Sequence, residues 1–242
     1  MTMVEHLDEL RKRLGLALLG LGAGAVIGYI FAPQIMAVIL RPAGTPKLTA
    51  LTVLEPFLAK FKTALITGVA LSMPWLLYQV FAFIRPALTP QEKKAADWAL
   101  VGMAVLFYTG VVFGYVFILP ASTRWLLAQG GDIIQVQLTA LAYVGYVAWF
   151  MVGVGLAFET PLLIVALAWL GIVSPATLRK EWRIAYMVIF TASAVLTPDW
   201  SPVTMFMVAA PMIVLYELSI VLCRILFRQR AAAQGEAGTV QG

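Results

Sequence analysis

His6-Leu7-Asp8-Glu9-Leu10-Arg11-Lys12-Arg13-Leu14 is a charged stretch that runs straight into an apolar segment continuing to Phe31. Leu7, Leu10, Leu14 and Leu18 fall at helical spacing and make one apolar stripe. Glu9 stands four residues after Glu5 and four before Arg13, so it shares a polar face with a salt-bridge partner worth roughly a few tenths of a kcal/mol. An amphipathic turn that feeds directly into an apolar helix lies at a membrane surface and then enters the membrane. Two readings of its charges stand side by side. One is a collar that sets topology; the other is a surface that presents a carboxylate to a basic ligand.

Outward from that stretch, the chain reads as membrane. Apolar residues make up 62% of its 242 residues and charged residues only 12%. Several apolar runs reach the roughly 20 residues needed to cross a hydrocarbon core of about 30 Å. The net charge of +5 is not a nucleic-acid signal, because the basic residues sit between apolar runs rather than along one face. One cysteine, Cys223, and one histidine, His6, leave no disulfide framework and no Cys/His metal site built by this chain alone. No cofactor motif stands out. Residues 14–22 have the look of a signal-peptide core, with Ala23-Gly24-Ala25 as a cleavage site. Glu5, Asp8 and Glu9 in the leading region, and the long apolar run, favour an uncleaved first helix instead.

Six spans are expected, at about 14–32, 61–84, 98–118, 143–170, 184–197 and 203–222, the last two short, within one transmembrane domain over 1–228. Residues 229–242, rich in Ala, Gly and Gln, read as a disordered tail. Gly20, Gly24 and Gly28 repeat every four residues, which marks a close helix-packing face. Leu51 to Phe61 is mildly amphipathic and reads as a short surface helix after Glu55-Pro56, Pro74 as a kink, Pro120 as the stop of the third span, and Ser174-Pro175 as the start of a short helix. An even number of spans puts both termini on one side. The N-terminus, the 85–94 loop, the 179–183 loop and the tail hold 12 of the 17 Lys and Arg residues, so that side is cytoplasmic. Glu9 and Glu92 then face one compartment.

No nucleophile–base set, zinc-protease motif or phosphate loop is present, so an enzyme is a poor reading. The chemistry rests on carboxylates. Glu159 lies inside the fourth span, where a carboxylate is costly and faces a cavity or a partner. It reads as a neutral acid satisfied by a neighbouring helix, a proton-linked site, or a docking point for another transmembrane helix. Glu217 lies near a helix end, where it snorkels or pairs with Arg224. Glu9 and Glu92 suit a cationic ligand, especially two adjacent guanidinium groups, with Phe81 and Phe83 as an apolar wall or as ordinary interfacial aromatics. A solute or proton transporter coupled through Glu159 is the competing function, although no internal repeat supports it.

The motif from His6 to Leu14 resembles the N-terminal signature of the TatC family of twin-arginine protein translocases. Tyr78-Gln-Val-Phe-Ala-Phe-Ile-Arg-Pro-Ala-Leu88 with Glu92-Lys93-Lys94, then Phe158-Glu159-Thr-Pro161, Ser174-Pro175, Leu178-Arg179-Lys180 and Leu196-Thr197-Pro198 match the same family in order, over about residues 5–228. The resemblance implies an all-α integral membrane protein, six transmembrane helices in a cup-shaped bundle with cytoplasmic termini, in a bacterial or archaeal plasma membrane. It implies a core receptor that binds twin-arginine signal peptides of folded precursor proteins. It also implies scaffolding of TatA/TatB-type single-span subunits, oligomeric assembly in the bilayer, and export driven by the proton-motive force without catalysis. Glu9, Glu92, Phe83, Arg11 and Arg13 fall on the family's signal-peptide surface, and Glu159 on its partner-contacting polar site. One stretch departs from the pattern: Asp199-Trp200-Ser201-Pro202-Val203-Thr204 leaves the register uncertain, and Asp199 takes no role.

Overall fold

The computed structural model describes residues 3–44, 48–84, 90–131, 137–169, 172–197 and 201–239; side chains at 3–6, 84, 90–98, 169 and 226–239 lie outside the description. The described residues are helical apart from short loops, turns and one isolated bridge. Among the described residues, five stretches are long and apolar enough to cross a membrane: Leu7–Ile30, Glu55–Phe83, Ala99–Ala128, Ala140–Ala168 and Pro202–Ile225. A sixth, Trp182–Leu196, has 15 residues and is about 22 Å long, short of a full crossing. The chain divides into two compact units, Met1–Leu156 and Ala157–Gly242.

In the first unit, α1 (Met3–Ile30) packs along α3 (Glu55–Ile84). The expected glycine face is the seam. A Cβ on Gly24 would meet the Gly68 carbonyl oxygen at 2.8 Å, and one on Gly28 the Ala64 carbonyl oxygen at 2.6 Å. Gly68 in turn faces the backbone of Ala25. Only small residues allow backbones this close, and the resulting packing replaces a hydrophobic drive that lipid does not supply. Trp75 fixes the register, donating its indole N–H to the Leu16 carbonyl at 2.9 Å.

Between these helices, α2 (Ala32–Leu40) restarts after a single turn residue, with Pro33 at its beginning. Tyrosines reinforce its C-terminal carbonyls: Tyr115 donates to Val38 O at 2.7 Å, beside the backbone N–H of Arg41, and Tyr143 donates to Ile39 O at 3.0 Å. The expected separate surface helix after Glu55-Pro56 is corrected in extent, not in where it starts. The helix begins at Glu55 and runs unbroken into the span, through Pro74. Glu55 makes that start possible. Its carboxylate accepts the N–H of Leu51 at 2.7 Å and, 86 residues away, that of Leu141 at 3.0 Å. One buried side chain thus serves both the loop before α3 and the first turn of α6 (Ala140–Phe158). Backbone bonds between Thr49 and Leu138–Ala140 close the same junction.

The third span does not stop at Pro120, as its sequence suggested. Helix α4 (Pro90–Phe113) passes through a π-helical turn, Gly114–Ile118, into α5 (Leu119–Ala128). Proline cannot donate to the carbonyl four residues back, and a wider turn just before it absorbs the missing bond. The fourth span is likewise two helices. Helix α6 ends at Phe158 and α7 (Thr160–Trp169) begins after Glu159. Pro161 leaves the Ala157 carbonyl without its usual donor, and the Thr160 hydroxyl takes that place at 2.6 Å.

In the second unit, α10 (Pro202–Thr239) packs on α7 and on α9 (Trp182–Leu196), with the six-residue α8 (Pro175–Lys180) between α7 and α9 in sequence. Ser174 caps α8 as expected, accepting the Thr177 N–H at 3.0 Å. Ser201 repeats the device on α10, accepting the Thr204 N–H at 3.1 Å. Residues 229–239, read from composition as a tail, continue α10. Pro198 and Asp199 lie outside the described residues.

Candidate functional site

Of the expected site residues, Glu9 and Arg13 meet at one end of the α1–α3 pair. Glu9 and Arg13 are one turn apart on α1, and their side chains meet as the spacing predicts: Arg13 Nε donates to Glu9 Oε1 at 2.7 Å. A second nitrogen of the same guanidinium, Nη1, donates to Gln79 Oε1 on α3 at 3.2 Å. Arg13 therefore bridges the two helices. Each of the ion-pair side chains is 25% exposed, wet enough for a ligand to reach and dry enough for the pair to be oriented. Gln79 is only 2% exposed, and its Nε2 has no hydrogen-bond partner among the described residues.

Phe83 follows Gln79 by four residues, so it lies on the same face of α3, half-buried. Arg11 is exposed and about 200° around α1 from both Glu9 and Arg13, so it does not join them. Position 92 falls in the first turn of α4, a helix packed against α3. The Glu92 side chain lies outside the described residues, as do those of Glu5 and His6. Gln79 was missed by the sequence reading. Its signal was present: an amide inside the apolar run Tyr78-Gln79-Val80, where an unpaired polar group is expensive.

Glu159 sits at the joint between α6 and α7, 2% exposed. Neither carboxylate oxygen has a hydrogen-bond partner among the described residues, so the reading of an acid satisfied by a neighbouring helix finds no donor or acceptor there. Its backbone carbonyl accepts from both Leu162 and Leu163, which is how the chain re-enters a helix after the break. The expected pairing of Glu217 with Arg224 is corrected. Glu217 accepts Arg179 Nη1 at 2.8 Å and the Tyr186 hydroxyl at 3.0 Å. Three elements, α8, α9 and α10, converge on that carboxylate, a tertiary pairing that spacing within one helix does not reveal. No cluster of three metal-ligating side chains occurs among the described residues.

The family profile TatC, described as Sec-independent protein translocase protein, matches residues 5–211. A Sec-independent protein translocase protein TatC of Carboxydothermus hydrogenoformans is 34% identical over 93% of this chain and 94% of its own length. One of Deinococcus radiodurans is 36% identical over 97% of this chain and 89% of its own. Among solved structures, a crystal structure of the twin-arginine translocase receptor TatC in DDM aligns with a TM-score of 0.79 at 30% identity, covering 90% of this chain and 99% of that one. The chain is a multi-pass, all-helical membrane component of protein transport with no catalytic reaction of its own, and it belongs to the TatC family.

Proposed function

We propose that this chain is the core receptor of a twin-arginine translocase, and that the Glu9 end of the α1–α3 pair receives the arginines of a signal peptide. One observation carries the reading: the Glu9 carboxylate, partly exposed at the end of a membrane helix, already holds a guanidinium, that of Arg13, at 2.7 Å. The site's shape and polarity therefore suit the group the ligand would bring. A guanidinium presents a planar fork that lysine lacks, so arginine is the preferred cation there. Glu92 supplies the second carboxylate, Phe83 the apolar wall beside it, and Arg11 a basic flank.

A single exposed pair contributes only about 0–1 kcal/mol, so affinity also needs the apolar part of the peptide lying along the helices. In this reading both termini are cytoplasmic, and Glu159 docks a polar side chain of a single-span partner subunit. The protein works as an oligomer in a bacterial or archaeal plasma membrane, and the proton-motive force drives export. Crosslinking of a twin-arginine peptide in membranes tests the site. Glu92→Gln is expected to reduce the crosslink several-fold more than Glu5→Gln; equal losses would remove the assignment.

A further inference from the structure

The Glu9 carboxylate is not empty while it waits. Arg13 occupies Oε1, and the same guanidinium is tethered through Nη1 to Gln79 on the neighbouring helix. Gln79 is buried and its Oε1 is aimed at Arg13, so the tether is built into the α1–α3 interface rather than left to a mobile surface side chain. A ligand guanidinium that takes Glu9 must displace an internal one of the same chemistry. We propose that Arg13 is a resting occupant of the signal-peptide site, an internal arginine that holds Glu9 until a ligand arginine exchanges for it, with Gln79 retaining Arg13 after the exchange. The inference rests on the reading that Glu9 receives the peptide.

The exchange has a defined energetic form. One guanidinium leaves the carboxylate as another arrives, so the number of paired charges on Glu9 is unchanged. Gln79 keeps the displaced Arg13 beside α3, close enough to return when the peptide leaves. Competition of this kind raises every peptide's apparent Kd by the same factor, whatever its sequence. It sets the affinity of the site and leaves its choice between arginine and lysine to the contacts the peptide itself makes.

Equilibrium binding of a fluorescent twin-arginine peptide to the full chain in lipid nanodiscs tests this, alongside a peptide with one arginine changed to lysine. Arg13→Gln is expected to tighten both peptides by about two- to five-fold, the size set by a partly exposed ion pair, with their ratio unchanged. Gln79→Leu, which cuts at similar volume a tether present before and after the exchange, should leave both affinities within about two-fold of wild type. Lys12→Gln removes a neighbouring positive charge that does not touch Glu9 in any described contact, and should change binding by less than Arg13→Gln does. If Arg13→Gln does not accumulate, Arg13→Lys serves, since one ammonium cannot reproduce the two-nitrogen bridge; it should shift affinity in the same direction.

Weaker binding by the Arg13 variants, a changed peptide ratio, or equal tightening by Lys12→Gln would each overturn the proposal. The first two would make Arg13 a contact of the peptide, and the third would reduce the effect to net charge. Wild-type protein that binds neither peptide, or binds without dependence on Glu9, would instead remove the receptor reading itself.

Discussion

At Glu55 one carboxylate joins two segments 86 residues apart in sequence, and its removal leaves the N–H groups of Leu51 and Leu141 without an acceptor. Glu55→Ala should cost about 2–3 kcal/mol of stability in detergent micelles and Glu55→Gln about 1 kcal/mol, because the amide still offers one acceptor. Unfolding curves for both variants within about 0.5 kcal/mol of wild type would show that the junction is held by the Thr49 backbone bonds instead. Glu159 makes the opposite case, a buried carboxylate with no partner among the described residues. As a docking point it should lose crosslinking to a single-span partner helix in Glu159→Gln while the fold persists; unchanged crosslinking and transport would end that role. The residues differ in how readable they were. Glu9 and Arg13 are four apart on one helix, so their ion pair was legible from spacing alone. Glu55 to Leu141, Arg13 to Gln79 and Glu217 to Arg179 are tertiary, and no local pattern encodes which distant element arrives at a carboxylate.

Among elements, the α1–α3 seam depends on glycine where backbones touch and tolerates side chains where they do not. Gly24→Val places its Cβ against the Gly68 carbonyl, whereas the Cβ position at Gly22 has nothing within 4 Å. Gly24→Val should therefore destabilise by about 1–3 kcal/mol and loosen the α1 register that positions Glu9 against Gln79, while Gly22→Val is close to neutral. Thermal unfolding of the two variants in one detergent makes the comparison, and equal melting points would contradict the seam. This face was legible in the four-residue glycine repeat. Proline was read less well. Pro120 suggested a stop, but a π turn just before it lets the helix continue; Pro161 drew no such reading, and there the helix does break, with the Thr160 hydroxyl taking the freed carbonyl. The stretch Ser201-Pro202-Val203-Thr204, where the sequence departs from the family pattern, is a helix start. It repeats the Ser-Pro-x-Thr pattern of residues 174–177 and caps α10 as that stretch caps α8, a match visible in the sequence once the two are set side by side.

For the whole molecule, the all-helical membrane character was legible from composition and apolar run length, because a bilayer admits few other solutions. Orientation is a separate matter that rests on the distribution of Lys and Arg. Cys223 is fully buried, so introduced cysteines can be labelled with little background. A membrane-impermeant maleimide applied to intact cells should modify Val53→Cys, whose site is completely exposed, and should modify Glu181→Cys only after permeabilisation. The reverse pattern would invert the topology and take Glu9 away from the compartment where precursors are made. Recognition of paired arginines at Glu9 is decided by crosslinking of a twin-arginine peptide in membranes, with a Lys-Lys peptide as control. The expected result is a crosslink with Arg-Arg that is lost with Lys-Lys and lost again on Glu9→Gln or Glu92→Gln. Equal crosslinking of the two peptides, or crosslinking indifferent to both glutamates, would contradict it.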